Sequence, residues 1–210
     1  MLRTTRDHDI LEVLTFKVRL LTLPQIAGTW WGGSDSALTR ARARLAELQH
    51  AGLIKALQVH TDKMLPLDTP VATWAPGEPD PQYGAVAYEL QHRWSQDAPR
   101  LTRVYVATRK AANQYGGVGG RLKFPDQATH DLHLSELYLR FRQSNRDLAN
   151  RWINEDLRPK AGFKQKDPDI LIQDDAHSGL AIEFGGRYDA RRIRDFHRDC
   201  AARERRWQIW

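Results

Sequence analysis

Cysteine is all but missing from this chain: Cys200 is the only one in 210 residues. A single thiol excludes an internal disulfide framework and any all-cysteine metal site. Long apolar runs are missing too. None approaches the roughly 20 residues that a membrane span requires, so no membrane partner is expected. The opening MLRTTRDHD is polar where a signal peptide carries its apolar segment. These absences together point to the cytoplasm. Motifs of several enzyme classes are absent as well. The glycines at 116–120 lack a following Lys-Ser/Thr, so they are no phosphate loop. No G-x-S-x-G elbow occurs, Cys200 lies in no thiol-enzyme signature, and nothing repeats at a fixed period. His130 and His133 are spaced by three without a further His or Cys motif, which argues against zinc.

Positive charge is in excess. Lys and Arg number 32 against 26 Asp and Glu, a net charge of +6, and the pI is near 9.6. That balance suits a polyanionic partner, of which nucleic acid is the commonest in this compartment. The arginines concentrate at 40–44 and again at 187–206. Within the first cluster, SALTRARARLAELQHAGLI (36–54) places Leu38, Ala41, Leu45 and Leu48 at spacings of three and four, one face of a helix. Ser36, Thr39 and Arg40 fall on the opposite face, and Arg42 and Arg44 flank the seam. Gly52 stops the helix, and Leu53-Ile54 begins an extended run. Small hydroxyls permit close approach to a DNA groove, while arginines reach phosphates and guanine edges.

The preceding residues sharpen this reading. Residues 5–21 begin as an amphipathic helix. Thr22-Leu-Pro-Gln25 is a capping box opening a short helix that carries Ile26, Trp30 and Trp31. Gly32-Gly33 ends it, and Ser34-Asp35-Ser36 offers N-caps for the basic helix. The order is helix, short capped helix, turn, basic helix, strand. With S-x-x-T-R…L-x-x-L-x-x-x-G-L-I it resembles the winged helix-turn-helix of regulators of the multiple-antibiotic-resistance type. That resemblance implies binding of double-stranded DNA through Ser36, Thr39, Arg40, Arg42 and Arg44. IKALQVH (54–60) alternates as a first wing strand, and Val71–Trp74 is its expected partner. Pro66, Pro70, Pro76, Pro79 and Pro81 make the surrounding segment a long wing and surface loop. A helix over 83–94 and a strand over 103–107 follow. The sequence reading therefore places a DNA-binding domain at 1–115, a glycine hinge at 116–120 and a second domain at 121–210.

The second domain reads as a helix over 129–142, strands at 169–172 and 180–184 joined as a hairpin, a basic helix over 189–206 with Ile193, Phe196 and Cys200 inward, and a last strand at 207–210. This order, with Pro168-Asp169 opening one strand and Glu183 in the next, resembles the restriction-endonuclease-like core marked by P-D…E-x-K. The fold class expected is thus mixed α/β, a winged helix followed by a small restriction-endonuclease-like α/β core. The resemblance implies Asp169 and Glu183 as ligands of Mg²⁺ or Mn²⁺, with Glu136 as the acid of the first helix. The lysine position holds Gly185. Arg187, Lys164 and Lys166 are the substitute cations, and arginine rarely serves as a base because its pKa stays above about 12.

Taken together, the two halves resemble the replication-relaxation family of plasmid and mobile-element proteins, on H-D-L, P-D-I-L-I and I-E-F. The resemblance implies a DNA-binding protein whose nuclease-like domain does not cleave and serves as a second contact, to DNA through Arg187, Arg191 and Arg194 or to protein. One alternative is an active metal-dependent endonuclease using Asp169 and Glu183. Another is an interaction module whose seven Trp mark an oligomer interface. The sheet, ending at the strand after the basic helix, also leaves room for a homodimer or partner protein that completes the second domain.

Overall fold

The computed structural model describes residues 2–119, 122, 124, 127–159, 167–174 and 177–210. It is mixed α/β, as expected, with two separate sheets. The chain divides into two compact units, each built from two stretches of sequence. One comprises Met1–Met64 and Asp97–Arg140, the other Leu65–Gln96 and Phe141–Trp210.

In the first unit, Thr4 and Asp7 form a capping box at the start of α1 (Thr5–Glu12), which runs on as a π-helical turn over Val13–Lys17. A two-residue strand β1 (Leu21–Thr22) leads into α2 (Leu23–Trp31). The predicted capping box is present: Thr22 N donates to Gln25 Oε1 at 2.9 Å and Gln25 N to Thr22 Oγ1 at 3.3 Å. Gly32 ends α2 at a φ of 84°, a conformation that costs glycine little. Ser34 caps α3 (Asp35–His50), whose buried stripe is Ala37, Ala41, Leu45 and Leu48. Ala37 thus takes the inward place expected of Leu38, which is half-buried. β2 (Ile54–Thr61) pairs antiparallel with β4 (Arg100–Ala107) along eight residues, and β1 flanks the other side of β4. Leu20, Val59, Val104 and Val106 pack with Ala128 and Leu132 of α6 (Ala128–Ser144) to form the core behind this sheet.

Two expectations are corrected here. Val71–Trp74 does not pair with 54–60; that place belongs to β4, which offers a full alternating strand where the proline-flanked segment offers three residues. Nor does the glycine run separate the units, since residues on both sides of it belong to the first. Gly116 caps α5 (Arg109–Tyr115) with a φ of 81°. The next residues pack closely, with Val118 N donating to Thr15 O at 2.8 Å. A Cβ on Gly117 would lie 2.5 Å from Thr15 O, and one on Gly119 2.9 Å from Thr108 O. These glycines permit a close backbone crossing rather than a hinge. Gly120 lies outside the described residues.

The second unit is a five-stranded sheet in the order β3-β8-β7-β6-β5. Its strands are β3 (Ala72–Trp74), β5 (Trp152–Asn154), β6 (Ile170–Asp174), β7 (His177–Glu183) and β8 (Arg206–Ile209). β5, β6 and β7 run antiparallel in succession, and β8 lies parallel to β7 after the crossover helix α8 (Ala190–Ala201). Asp175 and Ala176 of the predicted hairpin turn lie outside the described residues. The edge beyond β8, expected to await a partner, is taken by the chain's own β3 in an antiparallel pair. On one face of this sheet α4 (Tyr83–His92) and α8 pack side by side over Ala181, Trp207 and Ile209. Trp74, Trp152, Trp207 and Trp210 are all buried in this unit. Four of the seven Trp therefore serve the chain's own core rather than an oligomer interface.

Candidate nucleic-acid interface and carboxylate pair

The surface of α3 follows from its stripe. With Ala37, Ala41, Leu45 and Leu48 inward, Ser36, Thr39, Arg40 and Arg42 are exposed. Ser34 and Ser36 hydroxyls share a hydrogen bond at 3.0 Å, and Thr39 Oγ1 donates to Asp35 O at 3.3 Å, so the hydroxyls are ordered along the first turns. Neither Arg40 nor Arg42 has an ion pair among the described residues.

Arg44 behaves differently. Its Nε donates to Asp7 Oδ1 at 2.8 Å and its Nη2 to Asp7 Oδ2 at 2.5 Å, a bidentate grip on a fully buried carboxylate. Its guanidinium also bonds Leu2 O and Glu47. Burial pushes the Asp7 carboxyl up, but the hydrogen bonds from Arg44 and Thr4 outweigh it and hold Asp7 below its usual range. Arg44 was expected at a DNA surface; it instead fastens α3 to α1. An acid 37 residues away in sequence decided its role.

The expected carboxylates are distributed over both units. Asp169 and Glu183 come together at the facing ends of β6 and β7: Asp169 N donates to Glu183 Oε2 at 3.1 Å, and Phe184 N to Asp169 Oδ2 at 2.9 Å. Glu183 is 2% exposed, and its other oxygen accepts from Tyr188 Oη at 2.5 Å. Burial, together with the charges of Glu183 and Asp169, pushes the Tyr188 hydroxyl well above its ordinary range, so it stays a donor. Glu136 belongs to the first unit, where it accepts from Gln25 Nε2 at 3.1 Å and lies 3.6 Å from Arg140 Nε. Each Glu183 oxygen already accepts one hydrogen bond, which leaves a divalent cation only the remaining lone pairs of the two carboxylates. Among the described residues no group of three or more His, Cys, Asp or Glu could hold a metal.

Position 185, where the expected motif would carry lysine, is closed by packing. A Cβ on Gly185 would lie 2.7 Å from Leu90 Cδ1 and 2.9 Å from Ile209 Cγ2. Helix α4 occupies the space into which that side chain would extend. Lys164 and Lys166 lie outside the described residues. Arg187 is exposed and sits 5.6 Å from the Trp94 ring centroid. Arg191 and Arg194 are exposed on α8, Arg191 with only a 4.0 Å approach to Asp195.

Three residues that sequence reasoning passed over complete this region. Tyr188 holds Glu183 through its hydroxyl. Arg93 and Trp94, just past α4, reach the turn after β7: Trp94 Nε1 donates to Gly186 O at 3.1 Å and Arg93 Nη2 to Trp210 O at 2.9 Å. The adjacent Arg-Trp pair was the only signal for them. Among the described residues no helix is long and apolar enough to cross a membrane. Comparison with protein-family models, with curated proteins and with solved structures finds no match.

Proposed function

We propose that this is a double-stranded-DNA-binding protein of the cytoplasm whose first unit lays α3 in the major groove. In this reading the second unit is a restriction-endonuclease-like core that does not cleave. The observation that carries the proposal is the pair Arg40 and Arg42, exposed beside Ser36 and Thr39 and free of any acidic partner among the described residues. Arginines unpaired on a helix of small side chains are available to phosphates and base edges. The arrangement around them supports the same reading: α1, β1, α2, α3, β2 and β4 follow in the order of a winged helix, with the β1-β4-β2 sheet behind.

For the second unit, the succession β5, β6, β7, α8, β8 with β8 parallel to β7 supports the nuclease-like core. Glu183 engaged by Tyr188 and Leu90 packed over Gly185 support the loss of cleavage. The kinship with the replication-relaxation proteins of mobile elements belongs to this proposal.

The test is duplex binding by the full chain across a salt series. Arg40→Ala/Arg42→Ala should weaken binding and flatten the log-log salt slope by about 0.9 for each phosphate no longer neutralised. An unchanged slope in a folded variant sinks the reading. Supercoiled plasmid should stay intact in Mg²⁺ and Mn²⁺. Nicking abolished by both Asp169→Ala and Glu183→Ala would put the endonuclease in its place.

A further inference from the structure

We propose that Arg6, stacked on Trp31 where α2 turns into α3, is a phosphate clamp that grips the same DNA strand as Arg40. The proposal rests on the groove reading above and extends it from α3 to the start of α1.

The start of α1 is built onto the end of α2. Asp9 Oδ2 accepts from Trp30 Nε1 at 2.8 Å, and one turn earlier the Arg6 guanidinium lies over the Trp31 ring, its Cζ 4.4 Å from the centroid. The Trp-Trp pair is thus held from one face of α1, by residues three apart. Arg6 is exposed and has no acidic partner among the described residues. Stacking uses the face of a guanidinium and leaves the N–H donors at its edge free. The ring therefore orients Arg6 without neutralising it. Arg44 is the contrast: its donors are spent on Asp7, Glu47 and Leu2 O.

The position follows from that same Arg44. Its bond to Asp7, the residue after Arg6, lays the start of α1 along one flank of α3. Ser36, Arg40 and Arg44 succeed one another at spacings of four, so they share that flank. Arg42, two residues from Arg40, is turned about 200° away and stands on the opposite flank. Trp31, the last residue of α2, precedes the Ser34 cap of α3 by only a short turn, which puts Arg6 at the corner between the two helices. A helix seated in a groove has a phosphate strand on either side, and contacts to those phosphates fix its register. Arg42 serves one strand; Arg40, joined by Arg6, serves the other.

The test is binding of a fluorescent mixed-sequence duplex by the full chain, followed by anisotropy across a salt series, with a thermal melt of each variant. Arg6→Gln should weaken binding by about tenfold at low salt and flatten the log-log slope by about 0.9, the loss of one neutralised phosphate. Arg6→Lys keeps the charge but not the flat stack, so its slope should stay while affinity falls by a smaller factor. An Arg6→Gln slope equal to that of the unsubstituted protein overturns the proposal; if its melting temperature has also dropped, the stack fastens α1 and nothing more. Full affinity in Arg6→Lys overturns it too, because the ring then does nothing for binding. The two readings fail separately. If the groove reading is wrong, Arg40→Ala/Arg42→Ala leaves the slope unchanged while Arg6→Gln flattens it. If the clamp is wrong, the double variant flattens the slope and Arg6→Gln does not.

Discussion

A Cβ on Gly185 would lie 2.7 Å from Leu90 Cδ1, so the glycine at this position is a packing requirement of the helix above it. The two residues are far apart in sequence and come from separate stretches of the same unit. Once Leu90 seals that face, a cation there is excluded by volume, whatever its value to catalysis.

The first prediction follows directly. Gly185→Ala should destabilise by about 1–3 kcal/mol, the usual range for overpacking a filled core. Leu90→Ala should cost about 2–5 kcal/mol alone through the cavity it leaves. Combined, the two should cost less than their sum, because the new methyl fills part of that cavity. Urea unfolding of the three variants measures the coupling. Strict additivity would show that the two side chains do not compete for one space.

Arg44 and Asp7 set the second prediction. Arg44→Ala leaves a fully buried carboxylate without its partner, and should cost on the order of 3 kcal/mol. Asp7 is held below its ordinary pKa in the folded state. Its contribution is therefore present above the unfolded value of about 3.9 and is lost as pH falls through the lower folded value. The gap between thermal melts of the protein and of Arg44→Ala should be full above about pH 4 and close progressively as pH falls below it, through the lower folded value. A constant gap persisting down to about pH 2 would contradict the pairing.

The glycine run yields the third. Gly117→Ala places a methyl 2.5 Å from Thr15 O, against backbone that cannot rotate away. It should lower the melting temperature by several degrees, equivalent to about 1–3 kcal/mol. Wild-type protein should resist limited proteolysis across 116–119. Cleavage there ahead of every other site would restore the hinge that the sequence alone implies.

What the sequence determined by itself is what depends on neighbours within a few positions. The Thr22–Gln25 box, the Gly32 stop and the inward stripe of α8 are present as read, and the α3 stripe is present with Ala37 inward in place of Leu38, because caps and helical faces are set by residues three or four apart. The succession of β6, β7, α8 and β8 was legible for the same reason. Strand partnership was not. VATW and RVYVA carry similar local content, and only the tertiary structure gives β4 to β2 and sends β3 to β8, so that each unit draws on two stretches of chain. The same holds for single residues. Arg42 and Arg44 look alike in the sequence, yet Asp7 engages one and leaves the other exposed. Gly185 reads as a missing lysine until Leu90 is seen above it. Burial and pairing are long-range competitions among segments, and only the folded chain decides them.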